Sequence, residues 1–135
     1  MMEEIRVSER AIRVGENRIF LTDDMKVICY VNIGDIDEEI ARSFKRSHRE
    51  LLKLFEGKVN VLVDLNKAGK TTSRSRKVLD ELVDNDRSYK LACFGAHPVA
   101  KIIASFFLKM SNKKDTRFFK NEEEALSWFA EDPNV

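Results

Sequence analysis

The chain is poor in residues that interrupt structure. Its 135 residues hold five glycines and two prolines. No Pro/Gly-rich linker, low-complexity tract or internal repeat divides it, and the length suits a single domain over 1–135. Cysteine is equally scarce. Cys29 and Cys93 lie far apart inside apolar runs with no partner pattern, so they read as buried thiols of a reducing cytosol rather than as a disulfide. No apolar stretch approaches the length of a membrane span, and the opening "MMEEIRVSER" lacks the apolar core of a signal peptide. A cytoplasmic protein is expected. Charge of one sign is also lacking: 24 Lys and Arg stand against 23 Asp and Glu, a net charge of +1. No global field points to nucleic acid or to a membrane surface, so any electrostatic function has to come from a local patch.

What is present is core material and an orderly succession of patterns. Hydrophobic residues make up 43% and charged residues 35%, enough for a real core beneath a solvated surface. "AIRVGENRIFL", 11–21, reads as two short strands joined by a Gly15-Glu16-Asn17 hairpin signal. "MKVICYVNI", 25–33, reads as a third strand. The period then changes. Asp35, with Glu38 three residues on, is placed to cap a helix whose face is Ile36, Ile40, Phe44, Leu51 and Phe55, with Gly57 as its stop. "VNVLVDL", 59–65, is nearly continuous apolar, as a parallel strand buried on both faces requires. A helix over about 73–85 follows, then the strand "YKLACFGA". Pro98 opens a helix with the face Val99, Ile102, Ile103, Phe106, Phe107 and Met110. "TRFF" is a last short strand, and Asn121 with Glu124 caps a final helix. Strict alternation after Asp35 predicts an α/β fold: a mainly parallel sheet with right-handed crossovers, N-terminal antiparallel strands and about four helices.

The stretch "LVDLNKAGKTTSR", 62–74, imitates the opening of a phosphate loop. Such a loop needs a glycine five residues before the glycine of Gly-Lys-Thr, where its backbone must approach the phosphate closely. Asp64 stands there instead and would repel the anion. His48 and His97 have no metal-ligand spacing around them. His48, among charged neighbours, reads as a solvated helix residue, and His97, just before Pro98, as a cap or loop residue. Acidic pairs and the run Glu122-Glu123-Glu124 suit turns and helix first turns. No constellation reads as an enzyme, and none asks for a metal or a cofactor. One local feature stands out. Lys67, Lys70, Arg74, Arg76 and Lys77 fall between Leu65 and Leu79 without an acid, interleaved with Thr71, Thr72, Ser73 and Ser75. Either this is a solvated connection, or it is a recognition surface or anion site.

The element order and this loop resemble the STAS domain, the fold of bacterial anti-sigma-factor antagonists, and more closely the SpoIIAA-like subgroup classed with STAS/SEC14-type folds. The most recognisable pieces are "TRFFKNEEEALSWF", 116–129, and the preceding "HPVAKIIASFFLKMSN". The resemblance implies a non-enzymatic signalling or regulatory module that binds a protein partner through the basic loop 67–77 and the helix after it. In the antagonists that loop carries a kinase-targeted serine at the helix start. Counting from Asp64 puts Ser73 at that place, with Thr72 where they have Asp and Ser75 where they have Gly. Ser73 and Thr72 are therefore the candidate switch residues. The SEC14-type side of the resemblance implies an alternative, a small anionic or lipid-like ligand. Its body would lie between the sheet and the 99–110 helix at Phe106 and Phe107, with its polar head toward the basic loop.

Overall fold

A computed structural model describes residues 3–84, 86–98, 100–102, 104–105 and 115–131. Among the described residues, seven strands form one sheet whose spatial order follows the chain. They are β1 (Glu4–Ser8), β2 (Ala11–Val14), β3 (Asn17–Leu21), β4 (Val27–Ile36), β5 (Val59–Thr71), β6 (Ser88–Phe94) and β7 (Asp115–Phe119). The first four pair antiparallel in turn, and β4 to β7 pair parallel. Gly15, at φ 61°, takes the first position of the tight β2–β3 turn, where a positive φ is needed. The parallel half carries the crossovers that alternation predicted: α1 (Glu38–Leu52), α2 (Ser73–Val83) and a helical segment α3 whose described residues are 98, 100–102, 104 and 105. A last helix, α4 (Glu122–Glu131), follows β7.

The helices divide between the two faces of the sheet. Phe44 and Leu51 of α1, Val78 and Leu82 of α2, and Ala100 and Ala104 of α3 share one core with Ile19, Ile28, Val61 and Leu91. Burying each large side chain there contributes roughly 2–3 kcal/mol. Trp128 and Phe129 of α4 cover the opposite face with Cys29, Leu62, Ala92 and Phe94. β4, β5 and β6 are thus buried on both sides, which is why they read as continuous apolar runs. β2 and β3 keep the two-residue alternation of a half-covered sheet, with Ile12, Val14 and Ile19 inside and Arg13 and Arg18 exposed. Lys90 helps to hold α4 in place. Its ammonium is buried, donates to the Trp128 carbonyl at 3.0 Å and lies 4.7 Å from the indole centroid.

Several local expectations change. An additional strand, β1, precedes the predicted hairpin. The cap of α1 is Asp37, whose side chain accepts the Ile40 N–H at 2.9 Å, and Asp35 instead belongs to β4. The helix ends at Leu52 rather than running on to Gly57, which lies in the following loop at φ 94°. There Arg87 takes one carbonyl of the helix end and two of the loop that follows it. Its guanidinium donates to Leu52 O (2.6 Å), Phe55 O (2.6 Å) and Gly57 O (2.9 Å), and stacks over the Phe55 ring. His48 is not on a solvated face. It is 2% exposed, and its Nδ1 shares a 2.6 Å hydrogen bond with the buried Tyr30 hydroxyl. The predicted cap of α4 stands: Asn121 Oδ1 accepts the Glu124 N–H at 2.9 Å.

Candidate functional site

The basic segment is mostly not a loop. β5 continues past Leu65 to Thr71, and its tail pairs with the end of β4: Ile33 with Lys67, Gly34 with Ala68, Ile36 with Thr71. Only Thr72 separates this strand from α2. The Gly-Lys-Thr triplet is therefore extended strand and cannot wrap a phosphate. Its glycine has a packing reason. A Cβ on Gly69 would run into Asp35 Oδ1 and stand 2.9 Å from the backbone N of Asp35. Gly34 helps on the other strand with a φ of 77°. Asp35 then accepts the Lys70 backbone N–H at 2.7 Å. The carboxylate that was expected to cap α1 instead fastens β4 to β5.

The five cations fall into different environments. Lys67, Lys70, Arg74 and Lys77 are exposed, and Arg76 is half-buried. Arg76 is turned back onto its own turn, donating through Nη1 to Thr71 Oγ1 (3.2 Å) and through Nη2 to Ser73 Oγ (3.3 Å). Arg74 reaches 3.7 Å from Glu38, which also binds Arg42 at 2.7 Å. The end of β4 and the start of α1 thus bring acids against this ridge: Asp35 of β4 bonds to Lys70 N–H and Glu38 of α1 pairs with Arg74. The surface is one of alternating sign rather than uniformly basic.

The hydroxyls separate just as clearly. Thr72 is the N-cap of α2: its Oγ1 accepts the Ser75 N–H (3.0 Å), while Ser75 Oγ accepts the Thr72 N–H (2.8 Å). This reciprocal box occupies both groups and buries Ser75 completely. Ser73 occupies the first helical position, exposed. No sequence signal separated these roles, because a serine at the third position replaces the usual Glu or Gln of such a box.

The remaining candidates sit elsewhere. Phe106 and Phe107 lie outside the described residues. The place expected for a lipid-like ligand, against the 99–110 helix at those two residues, lies outside them too; elsewhere on that face, between the sheet and α1 and α2 beside Tyr30, Asn32 and Phe44, a cavity of about 20 Å³ is found. That is room for one water molecule. His97 has the cap role predicted for it: Nδ1 accepts the Ala100 N–H (3.3 Å), and Nε2 bonds the Leu65 carbonyl (2.8 Å). Both cysteines are buried free thiols, and burial pushes each up to about 12, far from the thiolate a nucleophile needs. Among the described residues there is no cluster of three or more His, Cys, Asp or Glu able to hold a metal, and no helix long and apolar enough to cross a membrane.

This architecture is the SpoIIAA-like fold. The chain is similar to the crystal structure of an uncharacterised protein of the DUF3478 family, with a SpoIIAA-like fold, from Shewanella loihica PV-4. The TM-score is 0.61 at 13% identity, over 92% of this chain and 98% of that one. Residues 19–131 match a domain family of unknown function, DUF7793, and the chain belongs to that family. No curated protein matches it in sequence.

Proposed function

We propose that the protein is a non-enzymatic regulatory module that docks a protein partner on the ridge formed by the β5 tail and the start of α2, with Ser73 as its switch. The observation that carries this reading is the fate of the hydroxyls. Thr72 and Ser75 are consumed by the capping box, while Ser73 stands exposed with the Arg76 guanidinium at 3.3 Å. A phosphate on Ser73 would meet the positive end of the α2 dipole and gain charge-assisted hydrogen bonds from Arg76. It would also draw Arg74 away from Glu38, so that the sign pattern of the surface changes without unfolding it. A surface of alternating charge on a stiff strand favours selectivity for a matching partner over raw affinity.

Phosphopeptide mapping of the protein isolated from its own cells tests the switch. Phosphate on Ser73, with Thr72 and Ser75 unmodified, is the expected result. An unmodified 72–75 segment under every growth condition sampled would remove Ser73 from the proposal.

A further inference from the structure

β6 and β7 are parallel neighbours, but the chain leaves them in opposite directions. After β6 it turns to the face that holds α1 and α2, where Ala100 and Ala104 are buried. After β7 it turns to the other face, where Ala125, Trp128 and Phe129 pack. Where the connections of two adjacent parallel strands part in this way, a crevice is left at their carboxyl ends, and such crevices are the usual ligand positions of open α/β sheets. A cleft of about 640 Å³ opens at that place, between Gly95–Pro98 with Lys101 on one side and Phe118–Lys120 with Glu124 on the other. Small-molecule sites span roughly 300–1,000 Å³.

The walls of the cleft are tied down. Gly95 donates its N–H to Phe119 O (3.2 Å) and has no room for a Cβ against Ala100. Ala96 donates to Asn66 Oδ1 at 2.9 Å, and His97 is held by Leu65 O and Ala100 N–H. The interior pairs apolar surface with few charges. Phe118 packs against the core shared by α1, α2 and α3, and Phe119 against Trp128 on the other face, and each leaves part of its ring open to the cleft. Lys101 and Lys120 stand against the single carboxylate of Glu124, a formal surplus of one positive charge.

We propose that this cleft binds a small molecule with a flat apolar body and one carboxylate. The body lies across the carboxyl end of β7, against the open ring edges of Phe118 and Phe119, which project to opposite faces of the sheet, and the carboxylate is taken by Lys101 and Lys120. A doubly charged head group would exceed the surplus and face Glu124. This site is separate from the Ser73 ridge and does not rest on the reading given to that ridge.

Amide-detected NMR titration with phenylacetate tests the proposal, with phenylacetamide as the neutral analogue and hexanoate as the non-planar acid. Phenylacetate should give saturable shifts at Gly95, Ala96, Lys101 and Lys120, and each control should bind at least about tenfold more weakly. The double variant Lys101→Ala/Lys120→Ala, altered at exposed positions only, should keep its spectrum elsewhere and lose the response. The proposal is overturned if shifts do not saturate at these residues, if either control matches phenylacetate, or if the double variant binds as the parent does.

Discussion

The backbone N–H of Lys70 donates to Asp35 Oδ1 across 2.7 Å, bridging two strands at the spot where a phosphate loop would have its lysine. This bond explains why a Gly-Lys-Thr triplet follows an apolar strand here. Gly69 is needed because Asp35 passes too close for any side chain. Gly69→Ala should therefore destabilise the fold by about 1–3 kcal/mol. Adding Asp35→Ala should recover part of that loss by removing one of the clashing atoms. Urea unfolding of the two single variants and the double variant checks this, and strictly additive losses would contradict it. ATP and GTP turnover should be at background, and Lys70→Ala should leave it there.

The Tyr30–His48 pair gives the fold an acid-sensitive point. Burial, reinforced by the charge of Arg87, lowers the His48 pKa to about 4, against about 6.5 in an unfolded chain. Above pH 6.5 neither state carries the proton, and the group is neutral in its effect. As the pH falls from 6.5 towards 4, the unfolded chain takes up a proton that the folded one refuses, so stability is lost. The loss is on the order of 3 kcal/mol by pH 4. The difference in urea midpoint between the parent and His48→Gln, followed from pH 7 to 4.5, isolates this contribution. Parallel profiles for the two proteins would contradict it.

Arg87 replaces a helix cap from a distance of more than thirty residues. Three carbonyls depend on its planar fork, and a lysine can serve only part of that set. Arg87→Ala should cost about 2–4 kcal/mol, with Arg87→Lys recovering less than half. Amide hydrogen exchange should localise the damage to the last turn of α1 and the loop to Gly57. Removing this charge should also let His48 protonate at a higher pH in the folded state, so the share of the acid loss that His48 causes becomes smaller.

What the residues revealed and what they concealed divide along physical lines. The continuous runs of β4, β5 and β6 and the capping pair Asn121–Glu124 were legible, because local pattern and final environment agree. β1 was not, although Ile5 and Val7 alternate with Glu4, Arg6 and Ser8: it is a five-residue edge strand whose Ile5 and Val7 themselves stay exposed, so no burial stands behind the pattern. His48 was misread from its charged neighbours. Its spacing to Phe44, four residues before, and Leu51, three after, put it on the buried stripe of α1. The strand tail 66–71 was hidden by polar residues, since its pairing with β4 rests on backbone bonds and on Gly34 and Gly69. The five cations and Ser73 were visible as a segment. Asp35 of β4 and Glu38 of α1, the acids set against this segment, were not, because they come from a different part of the chain.

The central claim is that the Ser73 ridge docks a partner and that charge at Ser73 controls it. The most direct measurement is quantitative capture of partners by parent, Ser73→Ala, Ser73→Asp and Arg74→Glu proteins from the same cells. Thermal unfolding is recorded for each variant. Both altered positions, Ser73 and Arg74, are exposed, so the midpoints of the four proteins should agree closely. Ser73→Ala should retain the partner, while Ser73→Asp and Arg74→Glu should each reduce its capture by about tenfold or more, as expected for a charge reversal at a docking surface. Equal capture of every partner by all four proteins, with unfolding midpoints unchanged, would contradict the account and leave this ridge a solvated edge of the sheet.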